Sequence, residues 1–378
     1  MRRRTEINLT GLNGDLRRGG YIAPAQVMGD SDAVQPGEYL QYQGKSLAGF
    51  VDPSYRLAFD GYVMGKPDFS FDRYSSNASF QFGTADNLLR GSLQALSATV
   101  VASPANSHQY TSFTFSTVVN HILRGHTNFA YNATGGLSGS PEGIIFTLDL
   151  DSDSVLFNVV NNRFIVDKSE NIWSTVQQIG GGEEGGGEFH RPWFDRRGVF
   201  HYQPASPFIS PQPTARGTLD TSLIRGTVQV RHVASQFDQR TGQVQMQPGV
   251  QPGIGFPAKY PASPGPGRVL QKLNGIWAED QTRANLLCER LYKWLNRAYT
   301  LTVQCDIGMV MLGDDGLGID LANRVLVTYS GSAVDADTGA GVYLELSAAS
   351  FYVYGISINV DQVRRTGTAT LTLEPDVA

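Results

Sequence analysis

From Tyr299 onward the sequence is written almost entirely in strand-forming residues. Runs at 299–306, 317–329, 341–358 and 367–374 concentrate Val, Ile, Leu, Tyr and Thr, the side chains that suit a pleated, half-buried surface. Composition extends this reading to the whole chain. Its 42 glycines, among many Thr, Ser, Tyr and Phe, favour strands joined by turns. An apolar share of 41% against 17% charged residues describes a globular protein, and 378 residues suffice for two or three domains.

Upstream the pattern is mixed. Segments 55–64 and 78–83 alternate as half-buried strands, and 225–235 reads as another. The segments 143–152 and 155–160 read as a strand pair. Helices are expected at 85–96 with Asp86 as N-cap, at 116–124 with Ser116 as cap, and at 169–180 with Ser169 as cap and Gly180 as terminator. In the last of these Ile172, Val176 and Ile179 recur at helical spacing. The longest helix is expected over 273–298, with Leu287, Leu291 and Trp294 on one stripe. Between them, 246–267 carries too much Pro and Gly for regular structure and reads as a long loop. A faint internal echo pairs "FDGYV…ASFQF" with "VYGIS…ATLTL", as two related β-domains would.

Residues 180–202 join a glycine-glutamate tract to a hairpin, "EFHRPWF" and "VFHYQP" around the turn "DRRG". Pro192 confines the first arm to an edge or an irregular strand. The tract fails as a phosphate loop. A helix precedes it, a hairpin follows, and Glu183, Glu184 and Glu188 would repel phosphate, so residues 180–188 read as a solvated tether. Trp173, Trp193, Phe194 and Phe200 are the aromatic candidates for core or partner anchors.

No constellation carries chemistry. Asp149, Asp151 and Asp153 resemble the start of a calcium loop, but Ser154 and Val160 stand where its glycine and glutamate belong. Strand alternation puts those carboxylates on one face, read as a solvated edge. Asp314-Asp315-Gly316 reads as a turn. Ser138 lacks the register of a nucleophile elbow, and His121 and His126 bracket a helix end. Cys288 and Cys305 lie among apolar neighbours and read as buried free thiols. No catalytic, cofactor-binding or metal residue is therefore assigned. The net charge of −5 gives no general attraction to nucleic acid, and no apolar run is long enough for a membrane span. The N-terminus lacks the apolar segment of a secretory signal, so an intracellular product is expected.

A helix of the form "ENIWSTVQQIG", a loop, and an aromatic hairpin turning at "DRRG" resemble the phage tail hub and baseplate-hub proteins, a family that includes the hub portion of type VI secretion spikes. Trp173, Asp195 and Gly198 fall on the family's mid-helix Trp and its Asp-x-x-Gly turn. In order along the chain, "LAFDGYV" looks like a first-barrel strand, "LANRVLV" like the strand entering a second barrel, and 351–373 like its closing hairpin. The glycine-glutamate tract and the 246–267 loop depart from the usual pattern.

The resemblance implies a mainly β (α+β) fold with two β-barrel-type tube domains bracketing helix-containing segments. Its domains would be 1–114, a first barrel; 115–224, helix plus aromatic hairpin; 225–298, strand, loop and long helix; and 299–378, a second barrel. It implies a structural virion protein, assembled in the host cytoplasm, without cofactor or catalysis. As a homotrimer it would join the tail tube or distal tail protein to a central spike or tip, with the tape measure protein as a further partner. A tail-tip or receptor-binding component and a carbohydrate-active β-rich enzyme are the alternatives.

Overall fold

Alternating apolar residues in the C-terminal segment build the largest sheet in the computed structural model of the chain. The structure describes residues 171–181, 188–195, 199–232, 241–247, 256–267, 269–274, 278–297, 299–312, 318–334, 341–361 and 366–377, and upstream of 171 only separate elements and single residues. In chain order the elements used below are β1 (Arg4–Thr10), α1 (Phe115–Gly125), β2 (Leu148–Leu150), α2 (Ile172–Gly180), β3 (His190–Phe194) and β4 (Phe200–Pro204). There follow β5 (Gly217–Leu219), β6 (Gln229–His232), β7 (Thr241–Gln247), β8 (Ala258–Tyr260), β9 (Val269–Asn274) and α3 (Gln281–Leu295). The chain ends with β10 (Tyr299–Asp306), α4 (Ile307–Leu312), β11 (Arg324–Val334), β12 (Gly341–Asp361) and β13 (Thr366–Pro375).

The fold is mainly β, in several sheets. The seven-stranded sheet runs β5-β11-β12-β13-β10-β6, and β1 lies parallel to the far end of β12. Its interior is layered by register: Leu371 sits between Val303 and Ile356, and Ala369 between Cys305 and Ile358. In β12 the inward residues change parity, from Phe351 and Val353 to Ile356 and Ile358. The cause is a bulge at Tyr354, where the pairing with β13 shifts between Val353 and Gly355. One extra residue turns every later side chain to the other face. Among the described residues no ladder closes on itself. The segment between β5 and β6 instead crosses from one end of the sheet to the other. Leu219 lies opposite Val327 on β11, Ile224 is bridged to Cys305, and Gln229 lies opposite Thr302 on β10.

A second core is helical. Phe115, Val118, Val119, Ile122 and Leu123 of α1 meet Ile172, Val176 and Ile179 of α2, while Leu287, Cys288, Leu291 and Trp294 of α3 complete it. The small sheet β8-β7-β9 packs on α3 through Val244, Met246, Ala258 and Leu273. Upstream, Tyr55–Val63 pairs with Tyr39–Lys45 and with Phe82–Gly83.

Several sequence expectations need correction. Thr114, not Ser116, caps α1 by accepting from the Thr117 N–H at 3.1 Å, and Ser116 instead donates to the Asp151 carbonyl. Asn171, not Ser169, caps α2, and Gly181 rather than Gly180 ends it, in a left-handed conformation at φ 114°. The long helix begins at Gln281 under an Asp280 cap, because 269–274 pairs as β9. The proline-rich stretch is not wholly irregular, since Ala258–Tyr260 pairs with β7. The short helix α4 follows β10 unannounced. Of the helix expected at 85–96, Asp86, Leu89 and Arg90 are described, and all three are helical. The strand expected at 155–160, Asp153, His126 and the turn at 314–316 lie outside the described residues, as does the side chain of His121.

Candidate functional site

β3 and β4 form the expected hairpin, with Pro192 on the edge strand of the order β2-β4-β3. Asp195 closes the turn: its N–H donates to the Val199 carbonyl at 3.0 Å and its carboxylate accepts from the Val199 N–H at 2.9 Å. Trp193 and Phe194 are neighbours on a strand, so they leave it on opposite sides. Phe194 enters the helical core with Trp173 and Phe200. It stacks on Trp173 at 6.1 Å between ring centroids and meets Phe200 edge-on at 5.3 Å. Trp173 meets Phe200 at 6.5 Å, 83° between planes. Trp193 goes the other way, into the core of the seven-stranded sheet. All four aromatic candidates are therefore buried, and the hairpin stands between two cores.

On the Trp193 side lies the candidate site. His201 is stacked flat on Trp193, with centroids 4.9 Å apart and planes 14° apart. Its Nδ1 contacts Asp149 Oδ2 at 2.8 Å and its Nε2 contacts Asp195 Oδ2 at 3.2 Å. Burial by itself lowers the imidazole pKa, but hydrogen bonds and charge from Asp149 and Asp195 overcome it and raise the value to about 9. The same bond to His201 holds the Asp149 carboxyl below its usual range. At neutral pH the group is an imidazolium clamped by two carboxylates, with both ring N–H groups donating. Beside it opens a cleft of about 320 Å³, lined further by Gln203, Ile209, Asp320, Leu321, Ala322 and Asn323.

A second network lies wholly inside. Glu188, placed by its sequence in the solvated tether, has no exposed surface. Its N–H donates to the Ile179 carbonyl at 3.0 Å, and Tyr202 Oη donates to its carboxylate at 2.7 Å. His190, 2% exposed, contacts Asp151 Oδ2 through Nε2 at 2.6 Å and stacks on Tyr202. Asp149 and Asp151 are thus not a shared solvated face. β2 ends at Leu150, and each carboxylate takes a different histidine. A third group joins helix to sheet. Both Arg297, at 3.9 Å, and Arg191, at 5.2 Å, lie over the Trp294 ring, and the charge of buried Glu374 on β13 acts on both cations.

These arrangements hold the fold together more readily than they do chemistry. A protonated His201 offers no lone pair for general-base work. Asp149, with its pKa depressed, is the wrong carboxylate to donate a proton to a leaving group. The two nitrogens of His201 point its carboxylates apart, and among the described residues no group of three or more His, Cys, Asp or Glu could hold a metal ion. Burial raises the Cys288 and Cys305 thiols to about 11 and about 12, so both stay protonated and unreactive. Sequence reading missed His190, His201 and Glu374, and gave Asp195 its turn role but not its contact with His201. The available signal was the pair of histidines on opposite arms of one hairpin, facing an Asp-x-Asp strand. Its use required the parallel register Asp149–His201, which no local pattern reveals.

No protein-family model matches the chain, and no curated protein matches it in sequence. Among solved structures it is similar to the 43 kDa tail protein of prophage MuSo2 from Shewanella oneidensis, at 11% identity and a TM-score of 0.48, over 90% of this chain and 89% of that one. It is also similar to prophage tail protein gp18 from Listeria monocytogenes EGD-e, at 10% identity and 0.41, over 88% and 84%. A chain of the virion of the native gene transfer agent particle matches at 10% identity and 0.36, over 59% of this chain and 43% of that one. All three likenesses are loose, and none of them decides fold or function.

Proposed function

We propose that this chain is a structural protein of a phage tail, the hub that joins the tail tube to the central tip or spike as a homotrimer. The observation that supports it most is the crossing segment 217–232. It starts along β11 and ends along β10, so it straps together the two ends of an otherwise open sheet around one apolar core. That wrapped form is what a tube-building domain requires. The order of parts agrees with the resemblance in the sequence: a helix carrying Trp173, a hairpin turning after Asp195, the long helix α3, then the wrapped sheet. The polar groups of the cleft, engaged in clamping the hairpin, favour a structural protein over a carbohydrate-active enzyme. Its location would be the virion, and its partners the tail tube or distal tail protein, the tip or spike and, less directly, the tape measure protein.

The test is genetic and biochemical. Purified particles should contain the chain, and particles made without it should carry tubes to which no tip is joined. Complete, infectious particles lacking the chain would contradict the proposal.

A further inference from the structure

β12 is far longer than either neighbour needs. Residues 341–352 pair with β11, and 351–361 pair with β13. Tyr329–Val334 and Gly341–Leu346 therefore form a two-stranded ribbon, held to the core at Tyr329, Leu344 and Leu346. β5 covers β11 only over Val325–Val327, and among the described residues nothing pairs with the outer edge of either ribbon strand. The ribbon leaves the sheet at a bulge between Val327 and Tyr329, where Ala348 takes φ 47° and its N–H donates to Thr328 Oγ1. Tyr343 at its surface is 82% exposed, and Ser330, Ser332, Ala333 and Glu345 are exposed with it. The ring of Tyr329 lies against Gly331, where an added Cβ would come within 2.6 Å, so the ribbon is shaped and not frayed.

Open strand edges are usually guarded by lysine, proline or inward charges. The paired residues 329–334 and 341–346 include no Lys and no Pro, and Glu345 is the one charged residue among them; Asp335 and Asp337 stand in the connecting segment. An isolated two-stranded ribbon is marginal in water and gains stability from a third strand. The same ladder ends, at its other side, in a complementary edge. β6 pairs only with β10 among the described residues, and Gln229, Val230 and Arg231 are all exposed. Arg231 supplies the charge opposite to Glu345. Arm and edge belong to different strands of one chain and do not meet within it, so their union joins two copies head to tail. Such a contact closes into a ring where its rotation returns to the start, and otherwise runs on as a filament.

We propose that the β11–β12 arm of one copy docks edge-on along β6 of a second copy, with Glu345 set against Arg231. The proposal rests on the hub reading for ring closure alone. The test uses the full-length chain in sedimentation velocity and native mass measurement. E345R and R231E should each weaken self-association at least tenfold, and the double variant E345R/R231E should restore it. Both sites are exposed, so all three variants should melt as the parent does. Mild oxidation of the double variant R231C/E345C should link copies to one another, while neither single cysteine does so in series. Association unchanged in both single reversals overturns the docking, as does a double variant no better than the singles. A parent chain that stays monomeric, with no cross-link in the cysteine pair, overturns it too. Loss of the hub reading looks different: the charge swap would still rescue association while the chain is absent from particles.

Discussion

At the residue scale two aromatic rings and one histidine hold the hairpin between its two cores. Trp193 and Phe200 are nearly or wholly buried, at 5% and 0% exposure, in different cores. Truncation of such a side chain costs about 3–5 kcal/mol. Trp193→Ala and Phe200→Ala should each lower the denaturation midpoint of the isolated chain by that order, whatever they do to assembly. The His201 clamp makes a separate, pH-dependent contribution. Its folded pKa of about 9 lies above the ordinary 6.5, so the stabilisation is complete below about pH 6.5 and disappears as pH rises through about 9. The whole effect amounts to about 3 kcal/mol. His201→Gln should flatten the stability curve between those values. It should leave the later fall, when Cys288 and Cys305 ionise only in the unfolded chain. A curve of the same shape in His201→Gln would remove the clamp from the account.

At the element scale the sequence was readable where period and chemistry are local. The stripe Leu287, Leu291, Trp294 placed α3 correctly on its core, and Pro192 marked the edge strand. Caps were misread by two residues at α1 and at α2, because Thr114 competes with Ser116 and Asn171 with Ser169 as acceptors for orphan N–H groups. Glu188 illustrates the larger limit: three glycines precede it in sequence, and only the fold brings Tyr202 to its carboxylate. The end of α2 also makes a prediction. A Cβ on Gly180 would stand 2.8 Å from the His190 carbonyl and 2.9 Å from Pro192 Cδ, while Gly181 sits at φ 114°. Gly180→Ala and Gly181→Ala should each destabilise by about 1–3 kcal/mol, and Asn171→Ala by about 1 kcal/mol. Chemical denaturation of the three variants checks this, with the exposed Ser174→Ala expected to be silent. Equal midpoints for Gly180→Ala and Ser174→Ala would show that the helix end does not abut β3.

At the scale of the whole molecule, a helical core and a wrapped sheet share one hairpin and one buried charge group. Glu374 is 1% exposed on β13, and its charge bears on Arg191 of the hairpin and on Arg297 after α3. Glu374→Gln removes the negative charge that bears on both arginines and should lower the denaturation midpoint. Hydrogen exchange should then show the α3 end and β13 opening together. The mainly β character of this assembly was legible in the composition, and three of the four strand runs after Tyr299 were placed to within a few residues, while the one expected at 317–329 runs from Arg324 to Val334 because the chain turns at Leu321 and Ala322. What was not legible is that β1, β5 and β6 come from elsewhere in the chain to complete the sheet, since long-range pairing leaves no periodic trace. The claim that this sheet builds a tail ring is tested most directly by a three-dimensional reconstruction of the assembled particle. Three copies of the chain should form one ring at the end of the tail tube. A ring of six copies, or density for the chain nowhere on the tail, would contradict the account.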